Sequence, residues 1–294
     1  MLLTILTPSY NRGKLLKKCY NNLIKQTNKN FEWLIIDDGS IDDTQSIVDE
    51  FLKEDKIQIR YIYKENGGKH TALNIGFKEA RGELTIIVDS DDILVLDAVE
   101  IIDKTWSQYR GSKDISSISF LRCYSNGDII GDKFPSDYFI SNHIDCRINM
   151  GIDGDKSEVY VTKILNKYQF PVFEGEKFLS EGIVWTQIGR SYKCVYINKA
   201  IYITEYLDGG LTRSGRTLRI KCPLGGMLNS KDYLHKDIKL IIRIKQMLLY
   251  QCYGFFAKKS IFEMIDDCEY KILYTLCIPG GYLLHKYWKF KYEV

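Results

Sequence analysis

Over its first hundred residues the chain alternates short apolar runs with amphipathic stretches, four times in succession. This alternation limits the fold more than any other feature. TILTP (4–8), FEWLIID (31–37), IQIRYIY (57–63) and LTIIVD (84–89) read as strands. Between the first two, KLLKKCYNNLIKQ (14–26) sets Leu16, Cys19, Tyr20, Leu23 and Ile24 on one helical face. Asp42 or Asp43 can cap a second helix, whose apolar face is Ile47, Val48, Phe51 and Leu52. A third runs through Leu73, Phe77 and Ala80 to a breaker at Gly82, and a fourth carries Val99, Ile102, Trp106 and Tyr109. Such a repeat predicts an α/β fold: a Rossmann-like, mainly parallel sheet with helices on both faces.

In sheets of this kind ligands lie outside the carboxyl ends of the strands. Those ends read Pro8-Ser9-Tyr10-Asn11-Arg12, Asp37-Asp38-Gly39-Ser40, Glu65-Asn66-Gly67-Gly68-Lys69-His70 and Asp89-Ser90-Asp91-Asp92. The last stacks three carboxylates in four positions, which requires full solvation or a compensating cation. One such end is an ordinary solvated turn; four on one edge point to a cleft for a charged ligand. Two carboxylates one residue apart can hold Mg²⁺ or Mn²⁺ while leaving positions for phosphate oxygens. Asp37 and Asp38 can accept hydrogen bonds from a nucleobase imide or a ribose hydroxyl. Tyr10 can stack on a base, Lys69 can meet a base edge or a phosphate, and Gly67-Gly68 allow close backbone approach.

Beyond Tyr109 the regularity weakens. SISFLRCYS (117–125) and YKCVYINKAIYITEYL (192–207) read as strands, EVYVTKILNKY (158–168) as a helix, and 231–257 and 261–275 as helical. The eight cysteines form no C-x-x-C pair, and MLLTILTPSY meets Pro8 and charge at once. No signal peptide is therefore expected, and the thiols read as reduced and cytoplasmic. The four histidines show no metal-ligand spacing. A net charge of +3 without a basic stripe argues against nucleic acid as a partner.

TPSYNR, LIIDDGSIDDT, NGGKHTALNIG and IIVDSDD, in this order and spacing, resemble the family 2 glycosyltransferases with the GT-A fold. The likeness is strong over 2–110 and continues more weakly through GDKSEVYVTKIL, FPVFEGEKFLSEGIVW and EYLDGGLTRS. It implies an inverting enzyme moving a hexose-type sugar from a nucleoside-diphosphate donor, UDP-linked, to an acceptor hydroxyl. The acceptor implied is a glycan or lipid-linked glycan of surface polysaccharide. The donor-binding half would be 1–110, the acceptor-binding half 111–220, and 221–294 a helical C-terminal extension. Carried over residue by residue, Pro8, Tyr10, Asn11 and Asp38 would contact base and ribose, with Lys69, Asn74 and Ser90 completing the donor site. Asp89 would lie at the ribose and, with Asp91, hold Mn²⁺ or Mg²⁺ at the pyrophosphate. Glu181 matches the family's catalytic base, although Gly182 stands where a second acid is usual. Arg213 falls where the family has a flexible segment near the diphosphate.

Two rival readings use the same residues. A strand ending in D-x-D is also the nucleophile motif of haloacid-dehalogenase-type phosphatases, with Asp89 attacking phosphorus and Asp91 moving the proton. Against it, Ile93 replaces the expected Thr or Val, and no later strand ends in an acidic pair. A non-catalytic nucleotide-sugar binder is the other. From Lys231 onward eleven Lys/Arg face seven Asp/Glu, with thirteen aromatics from Tyr233 to Tyr292. That tail suits peripheral contact with an anionic membrane surface, on the inner face.

Overall fold

The structure is a computed structural model and describes residues 1–204 and 211–293. Residues 205–210 (EYLDGG) and the side chains of 211–214, Arg213 among them, lie outside the described residues. The alternation expected from the sequence is present: β1 (Leu3–Ser9), α1 (Gly13–Leu23), β2 (Phe31–Asp37), α2 (Thr44–Glu54), β3 (Gln58–Tyr63), α3 (Lys69–Glu79) and β4 (Leu84–Ile87). These strands lie in the order β3-β2-β1-β4, all parallel. β1 and β2 are buried at every position, as strands covered on both faces must be. On one face Trp33 stacks with Tyr20 of α1 and Phe51 of α2, ring centroids 6.3 and 6.0 Å away. On the other, Gly76 of α3 lies against Leu6 so closely that a Cβ would stand 2.4 Å from Leu6 Cδ1.

The register brings the strand ends level. Ser9 pairs with Asp37, and Asp37 with Tyr63. β4 leaves the ladder opposite Leu6, and the acidic turn follows it.

β5 (Ile93–Leu94), α4 (Ala98–Trp106), β6 (Ile115–Cys123), β7 (Phe139–Ser141), a π turn (Ile144–Asn149), β8 (Lys156–Val161) and α5 (Thr162–Leu165) come next. They are followed by α6 (Gly182–Ser191) and β9 (Lys193–Ile203). The sheet continues β4-β8-β6-β9-β5, with β7 on β9. β6 and β9 pair in parallel; β8, β5 and β7 run antiparallel to their neighbours. The sheet is mostly parallel, as expected. The helix expected over 158–168 is instead β8 and the single turn α5. Val159 is fully buried and pairs with Ile86 on one side and Ile118 on the other, and two flanking strands outweigh helical spacing.

The described chain divides into two compact units. The first holds Met1–Gln169 and the stretch from Gln187 through β9; the second holds Phe170–Thr186 and the helices from Leu211 onward. Those helices are α7 (Leu211–Lys221), α8 (Pro223–Asp232), α9 (Leu240–Phe256), α10 (Ile261–Asp267) and α11 (Lys271–Tyr292). Met247, Tyr250, Cys252 and Tyr274 are at the centre of their core. The expected helix over 231–257 is broken between α8 and α9, where His235 and Asp237 turn toward each other at 2.9 Å. The second expected helix, 261–275, is two. A Ser260–Glu263 capping box opens α10, and Cys268 closes it in extended conformation. All eight cysteines are buried and free.

Candidate active site

Three of the four strand-end loops are laced together by short hydrogen bonds. Asn11 takes the left-handed conformation (φ 51°), tolerated by asparagine. Its N–H donates to Ser40 Oγ (2.8 Å), and its Oδ1 accepts from Ile41 N (2.8 Å). Asp37 accepts from Ser40 N (2.7 Å) and from the Tyr61 hydroxyl (2.6 Å). Asp38 is buried and accepts from Lys64 Nζ (2.5 Å), Asn66 Nδ2 (3.1 Å), Gly67 N (3.0 Å) and Gly68 N (2.8 Å). Both Asp38 oxygens therefore organise the loop before α3. Gly39 must be glycine: its φ is 85°, and a Cβ would meet Asn66 N at 2.7 Å. Pro8 is buried opposite Ile36 in the ladder, while Tyr10 is 46% exposed at the edge.

The acidic turn after β4 is held by cations and by the sheet behind it. Asp89 Oδ1 lies 2.6 Å from Lys69 Nζ at the start of α3. Asp91 Oδ2 is 4.0 Å from Arg12 Nη1, and Asp92 Oδ2 is 3.8 Å from Arg122 Nη1 on β6. Arg122 lies over the Tyr202 ring at 3.9 Å, and its Nε donates to the Lys156 carbonyl (2.8 Å). The Tyr202 hydroxyl accepts from Asp89 N (2.9 Å) and bonds the Asp92 carboxylate. Arg122 and Tyr202 are direct partners in the β6–β9 ladder, so one strand pair forms the floor of the turn.

The three carboxylates differ. Burial works to raise the Asp89 pKa, but Lys69, Arg122 and Arg12 outweigh it and hold the group below the ordinary carboxylate value. Asp92 is pushed up to about 7, first by burial and then by the charge of Asp89, with Arg122 opposing. Asp92 is buried against Arg122, whereas the Asp89 and Asp91 side chains stay 32% and 24% exposed. Among the described residues no three His, Cys, Asp or Glu side chains converge. Among the described residues, the carboxylates open to a divalent ion here are the partly exposed pair Asp89 and Asp91. That donor set, hard oxygens with open positions, fits Mn²⁺ or Mg²⁺ bound together with a diphosphate.

Ser90 is buried in the turn, and Asn74 is half-buried on α3. His70, in the first turn of α3, is buried with Nδ1 unpartnered, and burial holds its pKa below the ordinary imidazole value. In the second unit Glu181 is the residue immediately before α6. Its carbonyl accepts from Val184 N (3.1 Å) and Trp185 N (3.3 Å), which is the helix start expected there. Glu176 accepts from Leu224 N (2.7 Å) and Gly225 N (2.8 Å) and so caps α8. At Gly182 a Cβ would meet nothing closer than Ser180 Oγ at 3.5 Å, so space does not dictate the glycine. Arg122 and Tyr202 were not among the residues expected at the site. The one sequence signal for them is an arginine inside the otherwise uncharged ISSISFLRC strand.

A sequence model described as Glycosyl transferase family 2 matches residues 4–118. The glycosyltransferase GlyG of Streptococcus pneumoniae is 40% identical over 230 residues, which span 72% of this chain and 73% of GlyG. Among solved structures, S. aureus TarS 1-349 in complex with UDP-GlcNAc superposes with a TM-score of 0.60 at 20% identity. It covers 93% of this chain and 78% of that one. The mannosyltransferase PcManGT from Pyrobaculum calidifontis, in complex with GDP-Man and Mn²⁺, gives 0.57 at 16% identity over 97% and 82% of the two chains. The ordered strand-end motifs, the sheet that aligns them and the relative that spans most of both chains agree: this chain is a glycosyltransferase and belongs to family 2.

Proposed function

We propose that the enzyme moves a hexose-type sugar from a UDP-linked donor, with inversion, to a hydroxyl of a glycan or lipid-linked glycan in surface polysaccharide synthesis. Residues 1–110 would hold the donor and 111–220 the acceptor. The observation that carries the donor half is the partly exposed Asp89/Asp91 pair, flanked by Lys69 and Arg12 on a rim whose loops are laced together. Long cationic side chains at 2.6 and 4.0 Å can turn from carboxylate to phosphate when a diphosphate enters. Tyr10 is exposed enough to stack on the base. Pro8, Asn11, Asn74 and Ser90 would shape the nucleoside pocket, with Asp38 at its floor. Asp91 and Asp89 would hold Mn²⁺ or Mg²⁺, which when bound offsets the charge that develops on a departing diphosphate. A Mn²⁺-bearing, GDP-Man-bound neighbour and a UDP-GlcNAc-bound one support a nucleotide-sugar site of this kind.

Inverting transfer breaks the bond between the anomeric carbon and the diphosphate while the acceptor oxygen bonds the opposite face of that carbon. A base must take the hydroxyl proton, and Glu181 is the proposed base. The start of α6 fixes its backbone, and the positive helix end favours a carboxylate there. Glu176 is occupied at α8, which supports Glu181 over it. Membership of family 2 sets aside the phosphatase reading of Asp89. The enzyme would work in the cytoplasm, at the inner face of a membrane that carries the acceptor.

The test is product formation with a panel of UDP-hexoses and Mn²⁺. Glu181→Gln should keep donor binding and lose turnover by roughly two to four orders of magnitude, the usual contribution of a positioned base. Near-normal turnover would move the role to Asp155 or Glu174 first, since Glu176 is engaged at α8.

A further inference from the structure

The helix α11 carries no Asp or Glu from Lys271 to Tyr292 but four lysines, Lys271, Lys286, Lys289 and Lys291. Its inward face is accounted for within the second unit. Tyr274 meets Tyr250 at 6.4 Å and Trp288 meets Tyr253 at 5.6 Å, both edge-on, and a Cβ at Gly281 would stand 2.4 Å from Gln251 Oε1. The outward face is different. Ile272, Leu276, Leu283 and Phe290 are 81%, 75%, 67% and 85% exposed. At 3.6 residues per turn the four lie within about 40° of arc, in a line about 27 Å long. Single exposed apolar side chains are ordinary; a row of them on one helix, with the exposed Pro279 between Leu276 and Leu283, is the mark of a contact surface.

We infer that this face of α11 docks on an anionic lipid bilayer, lying in its interface. The flanks argue for lipid over protein. By helical phase Lys286 and Lys289 border the apolar row on one side and Lys291 on the other. Lys286 Nζ sits 5.3 Å from the Tyr282 ring and Lys291 Nζ 5.6 Å from the Tyr287 ring. Tyrosine rings with ammonium groups along an apolar row match the zone where acyl chains give way to phosphates, the lysine stems lying along the apolar part and the heads reaching the phosphates. A parallel second copy on the same face would bring lysine against lysine, and α11 itself has no carboxylate, the nearest being Glu269 before it and Glu293 after it. Spanning is not the mode, since no described helix is long and apolar enough to cross a membrane. The inference deepens the acceptor half of the function proposed above, because a lipid-linked acceptor is met at such a surface. It is independent of the donor half.

Sedimentation of the full chain with phosphatidylcholine vesicles, with and without phosphatidylglycerol, tests it. Binding should require phosphatidylglycerol and fall away at high salt. Lys286→Glu with Lys289→Glu and Lys291→Glu should weaken it roughly tenfold or more. Leu283→Ser with Phe290→Ser should do the same, at unchanged melting temperature and unchanged UDP binding. Equal sedimentation with both vesicle types, none with either, or parental binding by the Leu283/Phe290 variant would overturn the inference. So would a parent that runs as a dimer while that variant runs as a monomer, since the occupant would then be a second copy. Lost UDP binding beside intact vesicle binding would count against the donor reading alone.

Discussion

Asp37 and Asp38 at the end of β2, and Asp89, Asp91 and Asp92 after β4, are the same chemistry on the same sheet edge, yet the protein neutralises them by different means. The β2 pair is saturated from within: a hydroxyl, an ammonium group, an amide side chain and three backbone amides reach it at 2.5–3.1 Å. Most of those donors belong to the loops themselves and cannot leave without unravelling them. The β4 group is balanced by long side chains, Arg12 just before α1 at 4.0 Å, Lys69 of α3 at 2.6 Å and Arg122 of β6 at 3.8 Å. Arg12 and Lys69, at the solvent side, can exchange a carboxylate for a phosphate at small cost, while Arg122 stays under the turn with Asp92. Internal hydrogen bonds make a framework, and the looser pairs of Arg12 and Lys69 leave room for the diphosphate proposed above.

Removing one carboxylate from each group should separate them most widely. Asp38→Ala leaves the half-buried Gly67 and buried Gly68 amides and the Lys64 ammonium without their acceptor, and should cost about 3–5 kcal/mol by denaturant unfolding. Asp91→Ala should stay within about 0.5 kcal/mol of the parent or gain slightly, since a like-charge repulsion goes with it. Equal losses in the two variants would break the distinction.

A second effect is in pH. The Asp92 carboxyl releases its proton near 3.8 when unfolded and near about 7 when folded. Between those values the folded chain holds more protons, so this group makes stability fall as pH rises through the window. Without divalent ions, Asp92→Asn should flatten that slope and gain about 2–4 kcal/mol over the parent above neutral pH. Parallel curves for parent and variant would show that Arg122 already compensates the charge. The smallest effect belongs to Tyr202→Phe, which keeps the ring under Arg122 but withdraws the acceptor of the Asp89 amide. About 1 kcal/mol should be lost, with weaker Mn²⁺-dependent UDP binding than in the parent.

The framework was largely legible in the sequence because it is local. Of the five residues named for the α1 face, Leu16, Cys19, Tyr20 and Leu23 are buried and Ile24 is half-buried just past the helix, and β2 spans residues 31–37 as read. The strand ends were found by the abrupt change from apolar to polar. What stayed hidden is non-local. Nothing near Asp92 says that it turns inward while Asp89 and Asp91 reach solvent. That is decided by Arg122 and by Tyr202, the latter 113 positions from Asp89. Register shifts at Phe120/Leu121 and Leu121/Arg122 set those two residues side by side, and no periodicity reports a bulge. The helix expected over 158–168 failed for the same reason: its spacing is helical, and its partners are β4 and β6.

In the function proposed above, Asp89 and Asp91 are kept partly exposed to complete a site for a divalent ion and a diphosphate. Thermal unfolding of the parent and of Asp91→Ala, each with UDP in the presence and absence of Mn²⁺, addresses it most directly. The parent should be stabilised by UDP mainly when Mn²⁺ is present, rising with concentration. Asp91→Ala, as stable as the parent without ligand, should show no Mn²⁺-dependent gain. If UDP and Mn²⁺ together stabilise Asp91→Ala as much as they do the parent, the acidic turn is not the metal–diphosphate site.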